Sequence, residues 1–101
     1  DLVFLSGVGP RHPETDGIPD GIEAQTHATF SNVMAILGAA GLNMSNVIDI
    51  MVFLTNMERD FKKFNSIYAQ YLEGYETTRT TVEVGALPTP IAVEFKVVAK
   101  K

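Results

Sequence analysis

The apolar run VIDIMVFL at residues 47–54 most constrains how this chain can fold. It falls far short of the roughly 20 residues that a membrane-spanning helix needs, and its β-branched and aromatic residues are typical of a strand. Successive rather than alternate positions are apolar, with Asp49 as the exception. This pattern indicates a strand that is covered on both faces. The sequence therefore predicts a central strand here.

A helix is predicted before this strand, because apolar or small residues recur there at spacings of three and four. The stripe consists of Ile22, Thr26, Phe30, Val33, Met34 and Leu37. Asp20, with Glu23 three residues later, predicts an N-terminal cap. Gly41 predicts the C-terminal end.

A second helix is predicted from about Met57 to Leu72, with Gly74 ending it. Its apolar stripe consists of Phe61, Phe64, Ile67, Tyr68, Tyr71 and Leu72. The remaining apolar segments predict strands at residues 2–6, 80–84 and 91–99, the last two forming a hairpin around GALPTP.

The predicted fold is a single small α/β domain over residues 1–101, with a mixed sheet and both helices on one face. Alternation along the strands places apolar residues on the other face as well. We expect these to be Val3, Leu5, Met51, Phe53 and Val82. Because such a face needs cover, we expect the chain to associate with copies of itself.

Composition argues against several classes of function. The chain has 12 acidic and 8 basic residues, which disfavours nucleic acid as a partner, since phosphate contacts need a basic surface. It contains no cysteine, and its two histidines lack the spacing of metal ligands, so we expect no metal and no cofactor. The chain begins inside an apolar strand, so we expect residues to precede Asp1. The expected location is cytoplasmic, or the mitochondrial matrix in a eukaryote.

Three polar residues interrupt the last two strands. Arg79 and Thr81 share one face of their strand, and the predicted hairpin sets Thr81 opposite Glu94. The three side chains would then converge on one small ligand. Arginine suits a carboxylate, and a partly desolvated glutamate could deprotonate a water. An ion pair between Arg79 and Glu94 at a sheet edge is the alternative.

The chain resembles the Rid family (YjgF, L-PSP) along nearly its whole length. The segments that carry the resemblance are FLSG, EAQTHATFSNVMAILGAAGLNMSNVIDIMVFLTNM, FNSIYAQYL and RTTVEVGALPTPIAVEFKVVA. The resemblance implies a fold like that of chorismate mutase. It also implies a homotrimer whose sheets line a central barrel, with ligand sites between subunits.

The resemblance further implies hydrolysis of enamines and imines, such as 2-aminoacrylate, to 2-oxo acids and ammonia. Arg79 matches the residue that grips the substrate carboxylate, and Glu94 the acid associated with the attacking water. Thr81, Ser6 and Asn65 match other residues of the pocket.

Two departures from the family pattern bear on the substrate. Thr77-Thr78 replaces the usual Pro-Ala, which could alter the loop over the pocket, and RTTV also resembles 2-aminomuconate deaminases. Three alternatives therefore stay open: a 2-aminomuconate-type deaminase, a non-catalytic metabolite-binding or chaperone-like trimer, and a ribonuclease, which the acidic composition disfavours.

Overall fold

The chain forms four strands and two long helices, in the order βαβαββ, in a computed structural model that describes residues 1–101. The helices are α1 (Ile22–Ala39) and α2 (Met57–Leu72), with a short 3-10 turn at Met44–Asn46. The strands are β1 (Leu2–Phe4), β2 (Val47–Leu54), β3 (Thr78–Glu83) and β4 (Val93–Lys100). The predicted order of elements is confirmed.

The strands form one mixed sheet in the order β1-β4-β2-β3. β2 is parallel to β3 and antiparallel to β4, while β1 is antiparallel to β4. The predicted hairpin is wrong, because β3 and β4 lie on opposite sides of β2. The crossover through α2 returns β3 parallel to β2, and segment 84–92 then carries the chain to the other side of β2.

The helix ends show why the prediction succeeded at one end of α1 and failed at the other. Asp20 is not the cap, since the helix begins at Ile22 after Gly21, whose φ is 86° and which makes no capping side-chain bond. At the other end Gly41 has φ 75°. The Leu42 N–H donates to the Leu37 carbonyl at 2.8 Å, and the Gly41 N–H to the Gly38 carbonyl at 3.0 Å. This is a Schellman ending, as a glycine there predicts.

The start of α2 is held by two side chains. The Arg59 N–H donates to the Asn56 side chain at 3.0 Å. The Met57 N–H donates to the Glu83 carboxylate at 2.8 Å. Because Glu83 is the last residue of β3, it fixes α2 relative to that strand. α2 then ends at Leu72, just before Gly74, whose φ is 84°.

Both helices pack on one face of the sheet, and the core lies between them and β2 and β4. Phe30, Phe64 and Phe95 are fully buried and contribute one aromatic ring from each helix and one from β4. Phe30 meets Phe95 edge to face at 4.9 Å between ring centroids, an arrangement that aromatic rings favour. The predicted stripe of α1 is confirmed except for Met34, which is exposed. Neither helix has the length and apolar character to cross a membrane.

The opposite face of the sheet carries no helix and exposes apolar side chains. Phe4 is 64% and Leu2 54% exposed, and Met51 also lies here. Val3 and Leu5 were predicted on this face, but Val3 pairs with the buried Ala99, and Leu5 belongs to the core. A shift of one residue along a strand exchanges its two faces, which accounts for the error.

We expect this face to drive self-association at micromolar concentration, since burying it removes apolar surface from water. Met51→Asp, near the middle of the face, should then shift sedimentation towards the monomer. Tyr75→Asp provides the control, because Tyr75 is exposed but lies in the turn after α2. A stable monomer of the unmodified chain would contradict the expectation.

Candidate functional site

Arg79 lies on β3, one of the two edge strands of the sheet, with its side chain on the helix-covered face. Its register partner is Ile50, which is fully buried on that face. The guanidinium Nη1 donates to the Asn65 Oδ1 at 2.6 Å. Its carbon Cζ lies 4.7 Å from the ring centroid of Tyr68 and 5.7 Å from that of Phe61. Positions 61, 65 and 68 follow the helical spacing of four and three, so one side of α2 supports the guanidinium.

Arg79 has no acidic partner within this chain. The two ion pairs of the structure are Arg59–Asp60 and Lys63–Glu23. The predicted alternative, an ion pair between Arg79 and Glu94, is therefore wrong. A guanidinium has several N–H donors, and Asn65 accepts from one of them. A half-buried cation with donors to spare suits a carboxylate ligand, which can accept two parallel hydrogen bonds.

Two buried hydroxyl groups beside Arg79 have no hydrogen-bond partner within the chain, those of Tyr68 and Thr81. Thr81 and Arg79 line a cleft with Met57 and Phe61. Tyr68 lies on the other side of Arg79, in a cleft that Asn65 and Thr77 also line. A buried hydroxyl without a partner destabilises a fold by about 1–3 kcal/mol, so these groups are not explained by stability.

The hydroxyl of Tyr68 stays protonated at physiological pH. Burial raises the pKa of Tyr68 to about 12, because the phenolate would lose its hydration. The charge of Arg79 acts in the opposite direction and lowers this pKa, and the charge of Asp49 adds to the rise. Tyr68 therefore faces the guanidinium as a neutral ring.

Glu94 lies in a second group of predicted site residues. It is opposite Phe53 on the helix-free face, and it lines a groove together with Ser6 and Gly7. A Cβ atom at Gly7 would lie 2.5 Å from the Glu94 Oε2, so only a glycine lets the carboxylate occupy this place. The neighbouring Lys96 donates to the Leu5 carbonyl.

The predicted convergence of Arg79, Thr81 and Glu94 within one chain is wrong. Thr81 pairs with Val52, which pairs with Phe95 rather than Glu94. Glu94 is thus one position out of register and points to the opposite face of the sheet. The structure brings Arg79, Thr81 and Asn65 together on one face, and Ser6 and Glu94 together on the other.

Sequence reasoning missed Phe61 and Tyr68 as site residues, since it assigned both to the apolar stripe of α2. The signal was Asn65, a polar residue within that stripe.

Thr77 and Thr78, which stand where Pro-Ala is usual in the family, also have a structural role. The Thr77 hydroxyl donates to the Val47 carbonyl at 2.9 Å, and the Thr78 hydroxyl to the Asp49 Oδ1 at 2.6 Å. They tie the start of β3 to β2, next to the irregularity between Val47 and Asp49.

Comparison with known proteins confirms the resemblance. The family model described as Endoribonuclease L-PSP matches residues 1–101. A RutC family protein of Saccharolobus solfataricus is 35% identical over 102 residues, covering 100% of this chain and 80% of that protein. An Escherichia coli K12 protein named "Putative reactive intermediate deaminase TdcF" is 35% identical over 101 residues, covering 97% of this chain and 78% of that protein.

Solved structures agree with the fold. A structure from Thermotoga maritima has a TM-score of 0.93 at 34% identity and covers 99% of this chain and 79% of that chain. The crystal structure of Escherichia coli TdcF with bound serine has a TM-score of 0.91 at 34% identity, covering 99% of this chain and 80% of that one. The small α/β fold predicted for the chain is therefore confirmed.

Tyr68 should make the stability of the fold depend on pH in the alkaline range. The unfolded chain loses the phenol proton near pH 10, whereas the folded chain keeps it to about pH 12. The free energy of unfolding should therefore fall over this interval, by about 1–2 kcal/mol from this residue. Tyr68→Phe should remove that part of the fall in denaturant titrations, and Tyr75→Phe, at an exposed tyrosine, should not. If the free energy of unfolding fell equally with pH in the parent and in Tyr68→Phe, the raised pKa of Tyr68 would be contradicted.

Proposed function

Since the chain belongs to the Rid (YjgF, L-PSP) family, we propose that it hydrolyses carboxylate-bearing enamines and imines to 2-oxo acids and ammonia. The observation that carries the proposal is the state of Arg79. It is half-buried, hydrogen-bonded to Asn65, and without a carboxylate partner in its own chain. Such a cation is suited to receive the carboxylate of a substrate.

The comparisons support this substrate chemistry. One relative carries the name of a reactive intermediate deaminase, and its structure was solved with bound serine. In serine a carboxylate adjoins a carbon that bears nitrogen. The imine of a 2-oxo acid has the same arrangement. A site that binds serine therefore has the carboxylate and nitrogen contacts that a site for the imine needs.

We propose that a second copy of the chain completes the site. Glu94 and Ser6 lie on the face opposite to Arg79, so one chain alone does not bring them to a ligand held there. β3 is an edge strand, and the helix-free face exposes Phe4 and Met51. In a homotrimer with sites between subunits, one chain supplies Arg79, Thr81 and Asn65, and its neighbour supplies Ser6 and Glu94.

The proposed reaction needs orientation and proton transfer. An enamine first becomes the imine by taking a proton from solvent on carbon and giving up a proton from nitrogen. Arg79 binds the carboxylate and so holds the imine carbon near a water, from which Glu94 accepts a proton. The water oxygen bonds to the imine carbon while the nitrogen takes up a proton from solvent, giving a carbinolamine. Glu94 returns its proton to the nitrogen, and the carbon–nitrogen bond breaks. The hydroxyl gives its proton to solvent as the carbonyl forms and ammonia leaves.

The lining of the two clefts beside Arg79 favours a substrate with one carboxylate. Arg79 is the single cation among the residues that line the two clefts beside it. Glu73 lines one of these clefts and would repel a second carboxylate. Met57 and Phe61 offer apolar contact in the other. These residues support 2-aminoacrylate-like substrates over 2-aminomuconate.

Arg79→Ala should abolish ammonia release above the uncatalysed rate, because Arg79 is the single cation that lines the two clefts beside it. The assay generates 2-aminoacrylate in place and follows ammonia, with 2-aminomuconate as a parallel substrate. Lys62→Ala, an exposed cation on α2, is the matched control and should keep the parent rate. An unchanged rate in Arg79→Ala would remove the enzymatic proposal.

Gly7→Ala should impair the same reaction by displacing the Glu94 carboxylate, while leaving the fold intact. The added methyl group meets the end of a flexible side chain, which can move aside at little cost in stability. We expect kcat to fall at least about tenfold, since a positioned base contributes about 10²–10⁴-fold. Glu94→Gln should lower kcat as well.

Gly85→Ala is the control for this variant, because nothing lies within 4 Å of a Cβ atom at that position. A parent-like kcat for Gly7→Ala, with an unchanged melting temperature, would argue against a role for Glu94 at its observed position.

A further inference from the structure

We propose that Tyr68 is the positioning residue that holds Arg79 in its carboxylate-binding orientation, and that it acts through the face of its ring. The inference rests on the proposed function, since it takes Arg79 to be the carboxylate receptor. It adds a residue that acts on the substrate carboxylate through Arg79, by determining how well Arg79 binds it.

The ring of Tyr68 is close to the guanidinium and fixed in place. The Arg79 Cζ is 4.7 Å from the Tyr68 ring centroid, well inside the range of about 6 Å for cation–π attraction. Tyr68 is 6% exposed. Its ring packs against Phe64, Phe30 and Phe95, with centroid separations of 5.5, 5.6 and 6.2 Å. Since these neighbours belong to the core, the ring is a rigid support.

An aromatic ring suits this role because it consumes no hydrogen-bond donor. A carboxylate placed to hold Arg79 would occupy the N–H groups that a substrate needs. The ring instead attracts the cation through its face, and Asn65 accepts from one N–H in addition. The guanidinium is thereby held while its other donors stay free for a ligand.

No group of this chain forms a hydrogen bond with the Tyr68 hydroxyl, so no such bond within the chain anchors the residue. Phenylalanine would fill the same space without leaving a polar group unsatisfied. The proposal therefore assigns the positioning role to the ring and predicts that Tyr68→Phe retains it. This separates Tyr68 from residues that act through a hydrogen bond.

Weakening the ring contact should weaken carboxylate binding in a graded way. An arginine that is free to adopt other rotamers is competent to bind for only a fraction of the time, and the apparent Kd rises by the reciprocal of that fraction. A cation–π contact of about 0.5–2 kcal/mol corresponds to about 2- to 30-fold in Kd.

The test replaces Tyr68 by phenylalanine and then by phenylalanine with one, two and three ring fluorines. Fluorine withdraws electron density from the ring face while changing its size little. We expect the Kd for pyruvate, measured by calorimetry, to rise stepwise along the series, by about 2- to 30-fold in total. The same trifluorinated residue at Phe64, a buried neighbour that packs on Tyr68, should leave the Kd unchanged.

The outcomes distinguish a failure of the positioning role from a failure of the proposed function. A constant Kd along the Tyr68 series, or an equal effect at Phe64, would overturn the positioning role. If Arg79→Ala still abolished ammonia release, the proposed function would stand in either case. If Arg79→Ala bound pyruvate as the parent does, both proposals would fail.

Discussion

The pairing of β3 with β2 determines where every candidate functional group points. Ile50 is the register partner of Arg79 on one side and of Val97 on the other, and both Ile50 and Val97 are fully buried. Arg79 therefore emerges on the face that α2 covers. A slip of one residue would turn it to the helix-free face and would separate it from Asn65 and Tyr68. Strand register alone therefore places Arg79 beside α2, whose side chains support its guanidinium.

The strand that carries Arg79 and the helix that supports it are joined as one unit. Glu83, at the end of β3, accepts from the Met57 N–H at the start of α2. The Thr77 hydroxyl fixes the other end of β3 to the Val47 carbonyl of β2. With both ends of the strand tied, the distance between Arg79 and the ring of Tyr68 depends little on the loops around them. A cation without a countercharge can then be kept half-buried.

Sequence predicted the elements whose signals are local. The bounds of β2 and α2 are confirmed, because an apolar run and a helical stripe with Gly74 behind it are both visible in short windows. The partner of a strand is not a local property. The segment GALPTP resembles a hairpin turn, yet β4 pairs on the far side of β2, and the predicted meeting of Thr81 with Glu94 failed for that reason. Asn65 beside Arg79 was implied by family resemblance, whereas Tyr68 looked like any core aromatic residue.

The close approach of Gly7 to Glu94 has a consequence for sequence variation among related chains. The carboxylate fills the volume that a methyl group at position 7 would need. Alanine at this position would push the Glu94 carboxylate away from its observed place, and the shorter aspartate at position 94 would relieve that contact. The two positions are therefore expected to vary together, and exchange at either one alone should be rarer than exchange of the pair.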